Sequence, residues 1–166
     1  MTDFLLSRVT RENSSHLWEA AASPDGCGAI GPQLDPEDYL GLVWRFASGV
    51  DLPPDRVQAF EYWLFADGRA VGNCRLRKTL IPKLELDGGN ISYDIYPSER
   101  GRGYGREILK QSLAEARKFE MSRVLLTTAP TNEVSIRVII GNGGVQLDRT
   151  ISPFSGEELL RFEVRL

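Results

Sequence analysis

The feature that most constrains this chain is residues 98–109, SERGRGYGREIL, where three arginines and three glycines separate a strand pattern from a helix pattern. The strand pattern is the run ISYDIY, and the helix pattern is the apolar spacing of Ile108, Leu109, Leu113, Ala116 and Phe119. A helix N-terminus offers unpaired N–H groups at the positive end of the helix dipole. Glycines allow close backbone approach, and arginine side chains suit phosphate oxygens. This layout predicts a pyrophosphate site.

Composition restricts the other classes to which the chain can belong. Its 166 residues, 42% apolar and 26% charged, are typical of one soluble globular domain. The net charge of -3 gives no general affinity for nucleic acid or anionic membranes, and no segment approaches the roughly 20 apolar residues of a membrane span. One histidine, His16, and two isolated cysteines, Cys27 and Cys74, cannot form a His/Cys metal set. We expect a cytoplasmic protein with reduced thiols, no metal, and no nucleic-acid or membrane partner.

Hydrophobic periodicity predicts the elements on either side of this stretch. Strands are predicted at 4–9, 59–66, 70–80, 89–96, 123–129, 145–151 and 159–166, and helices at 12–23, from Pro36 with Asp35 as N-cap, from about 104 to 119, and from Asn132 to 141–144. The three strands between Phe60 and Tyr96 are expected to be antiparallel, and Asp67-Gly68 predicts a hairpin. The fold class is therefore α/β, with a mixed sheet on which helices pack.

Known phosphate-binding motifs discriminate between the possible ligands of residues 98–109. A P-loop, GxxxxGK[ST], is absent, and a GxGxxG fingerprint fails because Arg106 stands where the third glycine belongs. The string R-x-x-G-x-G, here Arg100, Gly103 and Gly105, resembles the acyl-CoA-binding motif of the GNAT superfamily of N-acyltransferases.

A second motif strengthens this resemblance. Asn132-x-x-Ser135 and Gly143-Gly144 are similar to the second helix motif of the GNAT family and follow the first motif at the family's spacing. The resemblance implies a central, mostly antiparallel twisted sheet of about six to seven strands with about four flanking helices. It divides the single domain, residues 1–166, into variable acceptor-side helices at 10–50 and an acyl-CoA-binding core at 89–148.

The resemblance also implies an activity and a set of binding residues. The activity is transfer of an acetyl group from acetyl-CoA to a primary amine of a small molecule or peptide, by direct attack through a tetrahedral intermediate and without a metal. Backbone N–H groups of residues 102–106 would hold the pyrophosphate, and the backbone of β-strand residues before the loop would pair with the pantetheine arm. The implied CoA-binding residues are Ile95, Tyr96, Arg100, Gly101, Arg102, Gly103, Tyr104, Gly105, Arg106, Asn132 and Ser135.

The catalytic groups are less well defined, because the sequence departs from the family pattern. In the GNAT family a tyrosine usually acts as the general acid, and Ile139 occupies its position here. Either Tyr96, Ser135 or a water is therefore expected to protonate the leaving thiolate, or no acid is needed. Strand alternation places Asp94 on the face of Tyr96 and opposite Tyr93, and Asp94 is the leading candidate for the base, directly or through a water. Glu85 and Thr127 are weaker candidates.

Two other functions remain open at this point. The missing tyrosine favours a CoA-binding GNAT module without turnover, such as a sensor. The same arginines would also suit a nucleotide-binding domain, which the acidic balance and the missing fingerprints disfavour. The C-terminal strand, 159–166, suggests a homodimer in which strands pair across subunits.

Overall fold

The computed structural model of the protein describes residues 2–14 and 36–166. In these residues the strands are β1 (Phe4–Arg8), β2 (Ala59–Ala66), β3 (Arg69–Arg77), β4 (Ile91–Ile95), β5 (Arg123–Thr128), β6 (Val145–Ile151) and β7 (Glu158–Arg165). The helices are α1 (Pro36–Ser48), α2 (Pro82–Leu86), α3 (Tyr104–Lys118) and α4 (Glu133–Gly141), and a short 3-10 helix covers Pro97–Glu99. Most of the expected helix over 12–23, the N-cap at Asp35, and Cys27 lie outside the described residues.

The first sheet has the order β1-β2-β3-β4, and each neighbouring pair is antiparallel. The hairpin between β2 and β3 turns at Asp67 and Gly68, whose φ angles are 48° and 77°. A two-residue turn of type I′ needs positive φ at both central residues, which Asp-Gly adopts readily. The expected hairpin and the three antiparallel strands between Phe60 and Tyr96 are therefore confirmed.

The second sheet has the order β5-β7-β6 and is also antiparallel. The seven described strands and four helices confirm the α/β fold class, with the strands divided between two hydrogen-bonded sheets. The expectation that the C-terminal strand pairs across subunits is wrong, because β7 already bonds to β5 along one edge and to β6 along the other. The outer edge of this sheet belongs to β6.

The two sheets meet where β4 begins. The Asn90 N–H donates to the Leu125 carbonyl, and the Leu125 N–H donates to Asn90 Oδ1, each at 2.8 Å. Gly89 precedes this contact with a φ of 59°, and a Cβ on Gly89 would lie 2.3 Å from the Leu125 oxygen. The close approach of the two backbones therefore requires a glycine at this position.

Two apolar clusters flank the first sheet. The larger one contains the predicted inner face of α3, since Ile108, Leu109, Leu113 and Ala116 are all buried. The smaller one includes Tyr39 and Val43 of α1 with Trp63 and Tyr96. Burying both faces leaves the ends and the free edges of the strands as the places where a ligand can approach. Helix α2 is not expected from the pattern, although Pro82 at its first turn is a usual helix start.

Candidate active site

A groove of about 590 Å³ opens between β4, the loop after it, the start of α3 and the start of α4. Ten of the predicted site residues line it: Asp94, Ile95, Arg100, Gly101, Gly103, Tyr104, Gly105, Arg106, Asn132 and Ser135. The structure thus brings together two motifs about 30 residues apart, as expected of a shared site. Five further residues line the groove that were not predicted: Tyr93, Glu99, Val134, Arg137 and Val138.

The start of α3 presents unpaired N–H groups to the groove. Gly103 is the N-cap residue, with a φ of 84° in the left-handed region, where glycine is favoured. The N–H of Arg106 donates to the Gly103 carbonyl at 3.1 Å, so this amide already takes part in the helix. The amides of Gly103, Tyr104 and Gly105 precede that first bond and are the ones available to an anion. The structure therefore reduces the predicted set of phosphate-binding amides from residues 102–106 to residues 103–105.

Arg100 ties the loop back to β4. Its Nε donates to the Ile95 carbonyl at 2.9 Å, and its Nη2 lies 3.2 Å from Asp94 Oδ1. These two contacts orient the guanidinium at the edge of the groove, where both Asp94 and Ile95 are lining residues. Asp94 therefore has an ion-pair partner as well as a place in the site.

The side chain of Arg102 pairs with Glu99 and does not line the groove. Its Nη1 lies 3.2 Å from Glu99 Oε2, and Arg69 lies 3.2 Å from the other carboxylate oxygen of Glu99. Glu99 is only 8% exposed, and its carboxylate lies between these two arginines. The side chain of Arg102 consequently stabilises the loop, and Arg102 is not among the residues that line the groove.

Tyr96 does not occupy the place that the sequence analysis expected. Its N–H donates to the Val71 carbonyl at 3.0 Å, so it completes the β3–β4 ladder and cannot pair with a ligand. Its side chain is 1% exposed and packs edge-on to Trp63, with ring centroids 6.4 Å apart. The predictions of Tyr96 as a CoA-binding and acidic residue are therefore contradicted by its position.

The outward-facing amides of β4 belong to Ile91, Tyr93 and Ile95, of which Tyr93 and Ile95 line the groove. Tyr96 bonds to Val71, and the Arg77 N–H donates to the Asn90 carbonyl at 2.7 Å, which sets the alternation of the antiparallel ladder. The residues between these bonded positions turn their N–H groups away from β3. The prediction of Ile95 as a backbone contact is consistent with this geometry, and Tyr93 takes the place that was assigned to Tyr96.

Three polar residues meet where β4 faces α4. Asn132 caps α4, since its Oδ1 accepts from the Ser135 N–H at 3.1 Å. The Ser135 hydroxyl lies 3.2 Å from the Tyr93 hydroxyl, a contact between residues 42 positions apart. Burial raises the pKa of Tyr93, with the Ser135 hydrogen bond acting in the opposite direction. Tyr93 was missed because the catalytic candidates on this strand came from the face that carries Asp94 and Tyr96, whereas Tyr93 lies on the opposite face and also lines the groove.

Ile139 is part of the apolar core. It is 1% exposed, and a Cβ on Gly144 would lie 2.4 Å from its Cγ2. A proton donor at this position is therefore absent, as the sequence indicated. Of the weaker candidates for the base, Thr127 accepts from the Gly88 N–H at 2.9 Å through its Oγ1, and neither it nor Glu85 lines the groove.

The described residues also bear on metals and membranes. Among residues 2–14 and 36–166, no group of three or more His, Cys, Asp or Glu side chains is placed to hold a metal ion. None of the helices in this part of the chain is long and apolar enough to cross a membrane.

Comparison with known proteins identifies the family. The model of the acetyltransferase (GNAT) domain matches residues 4–145 of the chain. A sequence comparison with curated proteins gives no match. The chain therefore belongs to the acetyltransferase (GNAT) domain family. It is therefore an acetyltransferase.

Solved structures of low sequence identity have the same fold. Spermidine N-acetyltransferase from Vibrio cholerae, solved with CoA and spermine, is 12% identical with a TM-score of 0.66, covering 98% of this chain and 95% of that one. The yncA protein of Salmonella typhimurium, solved with acetyl-CoA, is 16% identical with a TM-score of 0.64, covering 98% and 94%. The aminoglycoside acetyltransferase AAC(6')-Ib, solved with coenzyme A, is 15% identical with a TM-score of 0.67, covering 98% and 95%.

Proposed function

We propose that the groove binds acetyl-CoA, with the pyrophosphate at the start of α3 and the pantetheine arm along the outer edge of β4. The observation that carries this assignment is the meeting of the amides of Gly103 to Gly105, the outward amides of Tyr93 and Ile95, and Arg106 in one groove. Helix N-terminal amides and arginine favour an anionic phosphate, and an unpaired strand edge favours an amide-containing arm. Arg137, held by Glu133 at 3.2 Å, adds a further cation at the α4 side.

The acceptor amine would attack the thioester carbonyl directly. The N–H of Ile95 would donate to the carbonyl oxygen and stabilise the tetrahedral oxyanion. Asp94 is the proposed base, directly or through a water, and its pairing with Arg100 orients the carboxylate. Collapse of the intermediate then breaks the C–S bond and releases CoA. Asn132 holds the start of α4 beside the arm through its cap on Ser135.

The acceptor is proposed to be a primary amine of a small molecule or peptide. The spermidine and aminoglycoside enzymes that have this fold make polyamines and aminoglycosides the first amines to test. A cytoplasmic location is part of the proposal and is supported by Cys74, a buried free thiol. The proposed domain plan keeps residues 10–50 on the acceptor side and residues 89–148 as the CoA-binding core. A homodimer stays a prediction.

Two measurements test the proposed function. At 100 times its Kd, acetyl-CoA should stabilise the protein by about 2.7 kcal/mol and raise Tm by about 5–10 °C. ADP at the same concentration is the control, because a nucleotide-binding domain would respond to it equally. A protein that shows neither a Tm shift nor calorimetric binding with acetyl-CoA would contradict the assignment of the groove.

Thiol release from acetyl-CoA over a panel of polyamines, aminoglycosides, amino acids and peptides then tests turnover. We expect release that depends on one class of amine. The alternative of a CoA-binding module without turnover, favoured by Ile139, predicts binding without release for every amine.

A further inference from the structure

We propose that Tyr93 is the proton donor to the sulfur of the departing CoA, and that Ser135 holds its hydroxyl in place. This proposal rests on the proposed function of the groove. It gives the role left open by Ile139 to a residue on a different element, β4 in place of α4.

Among the residues considered as proton donors, Tyr93 has the most suitable position. Ile139 carries no proton and lies in the core, and Tyr96 lies in the second apolar cluster. Asp94 is ion-paired with Arg100 and, by strand alternation, projects from the opposite face of β4. Tyr104 is at the first residue of α3, where its ring packs edge-on to Phe4 at 5.6 Å, so it belongs to the phosphate end.

Tyr93 lies at the other end of the proposed CoA path. It is two residues before Ile95 on the same edge of β4, so it lies next to the proposed oxyanion donor along the strand, and both residues line the groove. Its ring packs against the large apolar cluster, which limits its motion. The Ser135 hydroxyl, 3.2 Å away, fixes the remaining rotation of the phenol from the side of α4.

The chemistry requires a hydroxyl that is protonated when the C–S bond breaks. Burial raises the pKa of Tyr93, so the phenol keeps its proton through the neutral range. As the tetrahedral intermediate collapses, the electron pair of the C–S bond moves to sulfur and the Tyr93 O–H hydrogen bonds to it. The phenolic proton passes to sulfur, and solvent returns a proton to the phenolate through Ser135. The amine loses one proton to the base, so acetyl-CoA and the amine give the amide and CoA thiol.

A matched pair of variants tests this role. Tyr93→Phe removes one hydroxyl in the groove, and Tyr62→Phe removes one in the core of β2, where Tyr62 is buried outside the groove. We expect Tyr93→Phe to lower kcat on the order of 100-fold with little change in acetyl-CoA affinity, which is the usual size of a general-acid effect. Tyr62→Phe should leave kcat within about twofold. Ser135→Ala should lie between them, because the phenol remains but loses its anchor.

The thiol pKa of bound CoA provides a readout that needs no acceptor. The absorbance of the thiolate is followed against pH in complexes of CoA with each protein. A hydrogen bond from Tyr93 stabilises the thiolate, so we expect the thiol to titrate about one pH unit higher in Tyr93→Phe than in the wild type or Tyr62→Phe. Bound CoA that titrates identically in all three proteins would overturn the role of Tyr93 alone. A wild-type protein that fails to bind CoA would overturn the proposed function, and this role with it.

Discussion

At the residue scale, Arg102 and Gly103 are neighbours in the sequence with different surroundings in the structure. Arg102 forms an ion pair with Glu99, and its side chain does not line the groove. Gly103 caps α3 with a φ of 84°, and nothing lies within 4 Å of where its Cβ would be. The cost of a side chain at Gly103 is therefore one of backbone conformation and not of a clash. The binding of phosphate at this loop should depend more on the backbone than on the arginine.

We therefore expect Gly103→Val to weaken acetyl-CoA binding more than Arg102→Ala does. A left-handed conformation costs a residue with a Cβ about 1–2 kcal/mol, and a branched side chain more, so at least a tenfold rise in Kd is expected. Arg102→Ala should change Kd by about fivefold or less, because the Arg102 side chain is 54% exposed in its ion pair with Glu99, and an ion pair open to solvent is worth about 0–1 kcal/mol. Titration calorimetry with acetyl-CoA measures both. A larger loss with Arg102→Ala would show that side-chain charge, and not the backbone, holds the phosphates.

At the element scale, the position of β4 depends on its junction with β5. Asn90 supplies both backbone and side-chain bonds to Leu125, and its Nδ2 also donates to the Arg77 carbonyl at 3.0 Å. Beyond this point the described residues of β4 and β5 form no ladder, since β4 pairs with β3 and β5 pairs with β7. The outer edge of β4 is therefore left for a ligand. The junction between Asn90 and Leu125 at the start of β4 therefore determines where the groove lies at the other end of the strand.

Gly89→Ala should destabilise the protein more than the same change at Gly68. Both glycines have positive φ, at 59° and 77°, so both variants carry a similar backbone penalty of about 1 kcal/mol. Only at Gly89 does the added Cβ meet the Leu125 oxygen, at 2.3 Å, whereas nothing lies within 4 Å at Gly68. We expect an additional loss of about 1–3 kcal/mol for Gly89→Ala, measured by urea unfolding. Equal losses for the two variants would mean that the junction relaxes without cost.

At the scale of the whole molecule, the first sheet is buried on both faces, and one of the side chains buried there is a carboxyl group. Glu61 is 4% exposed, and its two carboxylate oxygens accept from Asn73 Nδ2 at 3.1 Å and Arg75 Nε at 2.9 Å. Burial raises its pKa above the ordinary value, against the opposing effect of Arg75. The folded state therefore retains this proton at pH values where the unfolded chain has already lost it. Glu61 is therefore expected to contribute to the pH dependence of the stability of the fold.

Glu61→Gln should remove part of the pH dependence of stability. Because the folded pKa is raised, the contribution of Glu61 is fully present below the unfolded pKa of about 4.5 and is lost as pH rises through the folded pKa. The free energy of unfolding of the wild type should therefore fall relative to Glu61→Gln above about pH 5, by at most about 1.4 kcal/mol per pH unit. Urea unfolding at several pH values between 5 and 8 measures this difference.

Glu163→Gln is the matched control for this experiment. The Arg165 hydrogen bond lowers the pKa of Glu163, so its contribution is already complete at pH 5 and changes only at lower pH. Its difference from the wild type should be flat between pH 5 and 8. A flat difference for Glu61→Gln as well would show that Arg75 keeps Glu61 ionised in the folded state.

The sequence by itself determined the strand, loop and helix unit between Ile91 and Lys118, the hairpin at Asp67-Gly68 and the capping of α4 by Asn132. These features depend on interactions within a few residues, such as helical periodicity, turn chemistry and a cap, and such interactions can be inferred from neighbouring letters. The family resemblance rested on the same local strings, and the family match over residues 4–145 confirms it.

Only the tertiary structure decided which tyrosine of ISYDIY lines the groove. Alternation divides ISYDIY into two faces, but the side that opens toward α4 depends on how β4 pairs with β3 and where β5 and α4 lie. The hydroxyls of Tyr93 and Ser135 meet across 42 residues, and Glu99 joins Arg102 to the distant Arg69. Contacts between residues far apart in the chain arise from packing of whole elements, so local sequence patterns do not contain them.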